Sequence, residues 1–132
     1  MDTQQAVAEP DQNVGVSYEY LQVRAKMINY TSEEMIITGS DLTWGKWITS
    51  PVNVPAKSDR DFASQGRSSS PSGTEGWATW RIGKANIRVS FARPYNGLPD
   101  QRITCEPAIA YRVTSSGTQG DVNHVTFTVS PA

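Results

Sequence analysis

Trp77-Ala78-Thr79-Trp80-Arg81-Ile82-Gly83-Lys84-Ala85-Asn86-Ile87-Arg88-Val89-Ser90-Phe91 reads as two strands joined by a tight turn. Ile87, Val89 and Phe91 alternate with Arg88 and Ser90, the period-2 pattern of a strand with one buried face. Gly83-Lys84 supplies the turn, a weaker hairpin signal than Asn-Gly. Trp77 and Trp80 are three residues apart, so on a strand they point to opposite faces, and one of them is expected to be exposed.

The same alternation recurs outward from this hairpin. Leu21, Val23, Ala25 and Met27 share one face within residues 18–30, against Gln22, Arg24 and Lys26 on the other. Met35–Thr38 reads as a short strand ended by Gly39-Ser40-Asp41, and Leu42–Trp47 as another. Residues 49–61, with Pro51 and Pro55, read as loop or edge, and Asp61–Ser64 as a brief pairing. Residues 65–76 form a Gly/Ser loop, and 93–101 a loop with Tyr95 at its tip. Ile109, Tyr111 and Val113 alternate with polar residues, a turn follows at 115–121, and Val125, Phe127 and Val129 alternate in a last strand. Residues 1–13 are polar and aperiodic and read as a flexible tail, leaving 14–132 as one domain. Eight or so short strands with regular turn signals, and no helical periodicity, predict an all-β fold, a β-sandwich.

Composition narrows the function. The 132 residues carry 12 Lys+Arg against 13 Asp+Glu, a net charge of -1 that argues against nucleic-acid binding. Residues 81–112 hold six basic against two acidic side chains, an excess that a solvated sheet face explains and that would also draw the chain weakly to phosphate-bearing surfaces. A single cysteine, Cys105, allows no internal disulfide, which fits synthesis in a reducing compartment. The first residues lack the basic and apolar regions of a signal peptide. Catalytic inventory is poor. His124 is the single histidine and reads as an exposed sheet residue; there is no Gly-x-Ser-x-Gly elbow, no phosphate loop, no EF-hand spacing and no Cys/His cluster. The expectation is a binding protein, not an enzyme, with no cofactor and no metal.

Aromatic residues on turns carry the binding signal. Leu42-Thr43-Trp44-Gly45-Lys46-Trp47 sets two indoles around a Gly-Lys turn, and Gln65–Trp77 follows as a loop rich in backbone donors with one arginine, Arg67. Trp and Tyr suit a water–lipid boundary and attract quaternary or primary ammonium groups; an arginine among free N–H groups suits a phosphate. Sugar stacking is the alternative use of the same aromatics, as in a carbohydrate-binding or adhesin-like module.

These segments together resemble the aegerolysin family. The Trp44-Gly45-Lys46 segment precedes Gly66-Arg67-Ser68 with Gly73-Thr74-x-Gly76, as in that family. Phe91-Ala92-Arg93-Pro94-Tyr95-Asn96-Gly97 is similar to its aromatic-x-x-Pro-aromatic segment, and Gly120–Val129 and Trp47–Val54 look like its bacterial branch. The resemblance covers about residues 18–130 and is nearest to the small components of bacterial binary insecticidal toxins. It implies a β-sandwich of two antiparallel sheets. It also implies recognition of a membrane sphingolipid such as ceramide phosphoethanolamine, and a larger pore-forming partner, most often perforin-like (MACPF). Such a protein would be made in the bacterial cytoplasm without a signal peptide, released, and active at a target membrane. By matched position Trp44, Arg67, Ser72 and Tyr95 are the candidate head-group contacts, with Lys46 and Trp77 next. Ser72 stands where fungal members carry an acidic residue, Tyr95 where they carry Trp, and Ala92-Arg93 where they carry Asp-Cys, so fungal lipid specificity does not transfer. A homodimer through an exposed edge strand or an aromatic patch is left open.

Overall fold

In the computed structural model, which describes residues 17–69 and 71–132, nine strands follow one another. They are β1 (Gln22–Asn29), β2 (Ile36–Trp44), β3 (Lys46–Thr49), β4 (Ser58–Gln65), β5 (Gly73–Ile82), β6 (Ala85–Pro94), β7 (Asp100–Glu106), β8 (Tyr111–Ser116) and β9 (Val122–Pro131). The tail proposed for residues 1–13 lies outside the described residues. Two sheets form, one ordered β3-β4-β1-β9-β8 and the other β2-β5-β6-β7.

The hairpin read from residues 77–91 is the β5–β6 pair, in unbroken register from Gly73 opposite Pro94 to Ile82 opposite Ala85. Its inward residues, Ala78, Trp80, Ile82, Ile87, Val89 and Phe91, are buried against Val23, Met27, Phe62, Phe127 and Val129 of the other sheet. Burying these faces against each other supplies the main favourable free energy, roughly 1.5–3 kcal/mol for each large apolar side chain. Phe62 is the hub, with ring centroids at 5.3 Å from Phe91, 6.1 Å from Trp80 and 6.3 Å from Phe127. Trp80 is 1% exposed and its indole N–H donates to the Val52 carbonyl at 2.9 Å, so its polar handle is satisfied in the core. Trp77 takes the outer face, where the Arg88 guanidinium lies 4.7 Å from the ring centroid.

Several sequence expectations need correction. One sheet is not wholly antiparallel, because β1 and β9 pair in parallel from Gln22 opposite Val122 to Asn29 opposite Val129. The chain ends its path in the middle of the sheet that it began, a consequence of topology that no local pattern encodes. Gly39-Ser40-Asp41 does not end a strand. β2 runs through it with register shifts at Ile37/Gly39 and Leu42/Trp44, so bulges absorb the irregular residues. β4 is an eight-residue strand, paired on both sides by β3 and β1, and not a brief pairing at 61–64. Its charges face solvent and are answered across the ladder, Lys26 pairing with Asp61 at 2.9 Å and Asp59 at 3.4 Å. Asp100 and Gln101, expected in the loop 93–101, open the polar edge strand β7, which runs on to Glu106. Ile109 belongs to a turn, 86% exposed, and not to the apolar face of β8.

Buried asparagines fix the loops at both ends. Asn29 Nδ2 donates toward the carbonyls of Glu33, Val54 and Pro55 at 2.7, 3.3 and 3.2 Å, and its Oδ1 accepts from the Thr31 N–H and hydroxyl. At the opposite end Asn123 Nδ2 donates to the Ala92 carbonyl and Gln101 Oε1, while Oδ1 accepts from the Thr118 N–H. Both are fully buried and fully partnered, as buried amides must be.

Candidate functional site

The register brings three sequence-predicted segments to one end of the sandwich. β2 stops at Trp44 and β3 starts at Lys46, opposite Gln65, the last residue of β4. β5 starts at Gly73, opposite Pro94, the last residue of β6. The turn at Gly45, the loop 66–72 and the loop 95–99 therefore lie side by side. Thr74 locks the first two together: its Oγ1 sits 2.7 Å from Ser64 Oγ and 3.2 Å from the Trp44 carbonyl oxygen. Arg67 adds a second tie, its Nε–H donating to the Gly45 carbonyl at 3.3 Å.

Between these segments is a depression of about 320 Å³ lined by Leu42, Thr43, Trp44, Gly45, Arg67 and Ser72. Three of the candidate contacts, Trp44, Arg67 and Ser72, thus share one concavity. Trp44 is 52% exposed, and a large indole left in water on a rigid strand end is an available binding surface. Arg67 is exposed, and no carboxylate among the described residues is within ion-pair distance of it. Its Nε–H holds the turn, and a guanidinium carries further N–H donors of the kind that suit an anionic oxygen.

Tyr95 stands beside this depression but does not line it. Its ring packs edge-on against Tyr18 with centroids 5.3 Å apart, and its backbone nitrogen passes so close to Gly73 that a Cβ there would fall 2.7 Å from it. Lys46 points away into an ion pair with Glu19. The Lys46 ammonium, hydrogen-bonded to Glu19, holds that carboxyl below its ordinary value. Trp77 lies on the outer face of the four-stranded sheet, under Arg88, and is not brought to the depression. Trp47 turns inward, 6.1 Å from Phe91, and is structural.

Sequence reading missed the supports. The segment 17–20 contributes Tyr18 and Glu19, tied down by the Leu21 N–H to Tyr18 carbonyl bond and by Gly66 N–H donating to the Leu21 carbonyl. Arg93 is largely buried; its Nη1 donates to the Pro94 carbonyl at 2.5 Å and its Nη2 lies 3.6 Å from Asp121. It braces the Tyr95 loop against the loop before β9 instead of facing solvent. The arginine two residues before Tyr95 was visible in the sequence, but its pairing with Asp121 on the loop before β9 was not. Among the described residues no group of three or more His, Cys, Asp or Glu could hold a metal, and no helix is long and apolar enough to cross a membrane. Cys105 is buried, with its thiol 3.2 Å from the Pro107 carbonyl.

The molecule is a two-sheet β-sandwich, a rigid frame that presents an aromatic and an arginine from neighbouring loops at one end. The aegerolysin family model matches residues 20–132, and the chain belongs to the aegerolysin family. Solved structures share its fold. The RahU protein, crystallised in complex with a TRIS molecule, superposes with a TM-score of 0.75 at 22% identity, over 86% of this chain and 97% of that one. Nakanori, a lipid-binding protein, gives 0.72 at 10% identity, over 83% and 71%. IP-1A from Alcaligenes faecalis gives 0.71 at 18% identity, over 92% and 97%. No curated protein matches the chain by sequence.

Proposed function

We propose that this protein binds the head group of a membrane lipid at the loop end of the sandwich. The carrying observation is that Trp44, Arg67 and Ser72, distant in sequence, line one depression. A phospholipid head such as that of ceramide phosphoethanolamine has a phosphate and an ammonium a few bonds apart. Arg67 would take the phosphate, and the face of Trp44 the ammonium. Tyr95 and Leu98, which are 44% and 77% exposed on the adjoining loop, would seat in the interface beside it. The lipid-binding description of Nakanori supports this reading by shared fold.

The finer reading is a non-enzymatic, membrane-targeting subunit of a two-component pore-forming insecticidal toxin. Bound to a sphingolipid surface, the chain would concentrate a larger perforin-like protein there, and that partner would make the pore. The test is co-sedimentation with liposomes containing ceramide phosphoethanolamine, against phosphatidylcholine alone. Trp44→Ala should weaken binding by roughly 3- to 30-fold, the effect of one aromatic–cation contact of about 0.7–2 kcal/mol, with unfolding unchanged. Equal binding to both liposomes would sink lipid-specific recognition. A clear glycan-array ligand with no lipid binding would favour the carbohydrate-module reading instead.

A further inference from the structure

A larger depression, about 420 Å³, lies on the outer face of the five-stranded sheet, away from the loop end. Its lining includes Arg24, Lys26, Thr49, Asp61, His124 and Thr126. The ladder explains why it exists. One row across the sheet places Thr49, Ala63, Arg24 and His124 side by side. The next row places Asp61, Lys26 and Thr126. Ala63 is the short side chain among long ones, so the sheet is hollow above it.

The groups around the hollow are chemically sorted. On one side are Arg24 and His124, direct neighbours on parallel strands and both exposed. Among the described residues Arg24 Nε–H donates to Gln22 Oε1 at 2.9 Å, and no carboxylate pairs with it. The His124 backbone N–H donates to Thr118 Oγ1, which ties this end of β9 to the preceding loop. On the other side Lys26 is neutralised by Asp61 and Asp59, which leaves Asp61 oxygen lone pairs as hydrogen-bond acceptors. Thr49 and Thr126 add hydroxyls. A bare inorganic anion needs less room and would be repelled by Asp61. A ligand with a carboxylate at one end and hydroxyls at the other meets every group.

We propose that this depression binds a sugar acid, with its carboxylate on Arg24 and His124 and its ring hydroxyls on Asp61, Thr49 and Thr126. The arginine fork matches a carboxylate, and the volume falls in the range of small-molecule sites. The site is independent of the lipid-binding reading and shares no residue with it.

His124 is the chain's single histidine, so its imidazole proton signals report on this place alone. Sodium glucuronate, glucose and sodium acetate are titrated separately at constant pH and ionic strength, and the His124 signals are followed by NMR. The expected result is a saturable shift with glucuronate and none with glucose or acetate. Arg24→Gln should weaken glucuronate binding by about tenfold or more, the value of a hydrogen bond to a charged group. Trp44→Ala should leave it unchanged. The proposal is overturned by no saturable response to glucuronate, by an equal response to glucose or acetate, or by an Arg24→Gln variant that binds as wild type. Should that variant unfold, the comparison of the three ligands on the wild-type protein still decides.

Discussion

Replacing Gly73 with alanine should cost more than the same change at Gly83, although both glycines have left-handed backbones. Gly73 has φ +72° and Gly83 φ +57°, so alanine at either place costs about 1–2 kcal/mol of backbone strain. The surroundings differ. A Cβ on Gly83 would meet the Tyr111 hydroxyl oxygen at 3.3 Å, the far end of a side chain. A Cβ on Gly73 would lie 2.3 Å from the Arg93 carbonyl oxygen, 2.7 Å from the Tyr95 nitrogen and 2.8 Å from the Pro94 carbonyl carbon. All three are backbone atoms where Gly73 pairs with Pro94, and they cannot rotate away. Relief requires opening the end of the β5–β6 ladder, a further cost of about 2–3 kcal/mol. The totals are about 3–5 kcal/mol for Gly73→Ala and about 1–2 kcal/mol for Gly83→Ala. With roughly 3–5 °C of Tm per kcal/mol in a chain of this size, calorimetry should read a drop of about 9–25 °C against about 3–10 °C. Gly73→Ala should also lose liposome binding at temperatures where it is still folded, because Ser72 and Tyr95 flank the displaced backbone. A Tm loss at Gly73 no greater than that at Gly83 would refute the close-approach argument.

Other perturbations probe the remaining supports. Asn29→Asp sets a carboxylate against the carbonyls of Glu33, Val54 and Pro55, and should lower the unfolding free energy by about 3 kcal/mol or more in urea denaturation at neutral pH. Trp80→Phe removes the hydrogen bond to the Val52 carbonyl and leaves a void beside Phe62, so a loss of about 2–4 kcal/mol is expected by the same measurement. Glu19→Gln removes the carboxylate that pairs with Lys46. Because the folded carboxyl is held below its ordinary value, its contribution is present above the unfolded-state value of about 4.3 and is lost as pH falls through the folded one. Wild type should therefore have the higher urea midpoint near neutral pH, and the gap should close in acid; a gap that widens in acid contradicts the ion-pair account.

Where local chemistry and tertiary context agree, the sequence was legible. The β5–β6 hairpin, β1 and β9 all alternate because one face is core and the other solvent, and each was read directly from that period. β4 was understated because four of its first residues are charged or polar, and charge on a strand looks like loop until its partner is known. Lys26 supplies that partner only once β1 and β4 are paired. β7 was missed for the same reason: a polar edge strand owes its conformation to β6 beside it. In the site, Trp44, Arg67 and Ser72 were named in advance and line one depression, whereas Tyr18 and Glu19 carry no motif and Arg93 stands at an unspecified position of one. Trp77 shared the motif's neighbourhood but points from the wrong face.

Alternation, turn residues and composition determined by themselves that this chain is an all-β domain, because strand period and turn chemistry are local properties. The order of its segments carried the family resemblance. Tertiary structure alone decided which segments meet. The parallel β1–β9 pairing buries Asn123 beside the β6–β7 loop, and the ends of β2, β4 and β6 fall at one pole because sheet registers, not sequence separation, set distances across the fold. The hollow above Ala63 has the same origin: a small residue is unremarkable in a chain, and becomes a cavity only when longer side chains stand around it in register.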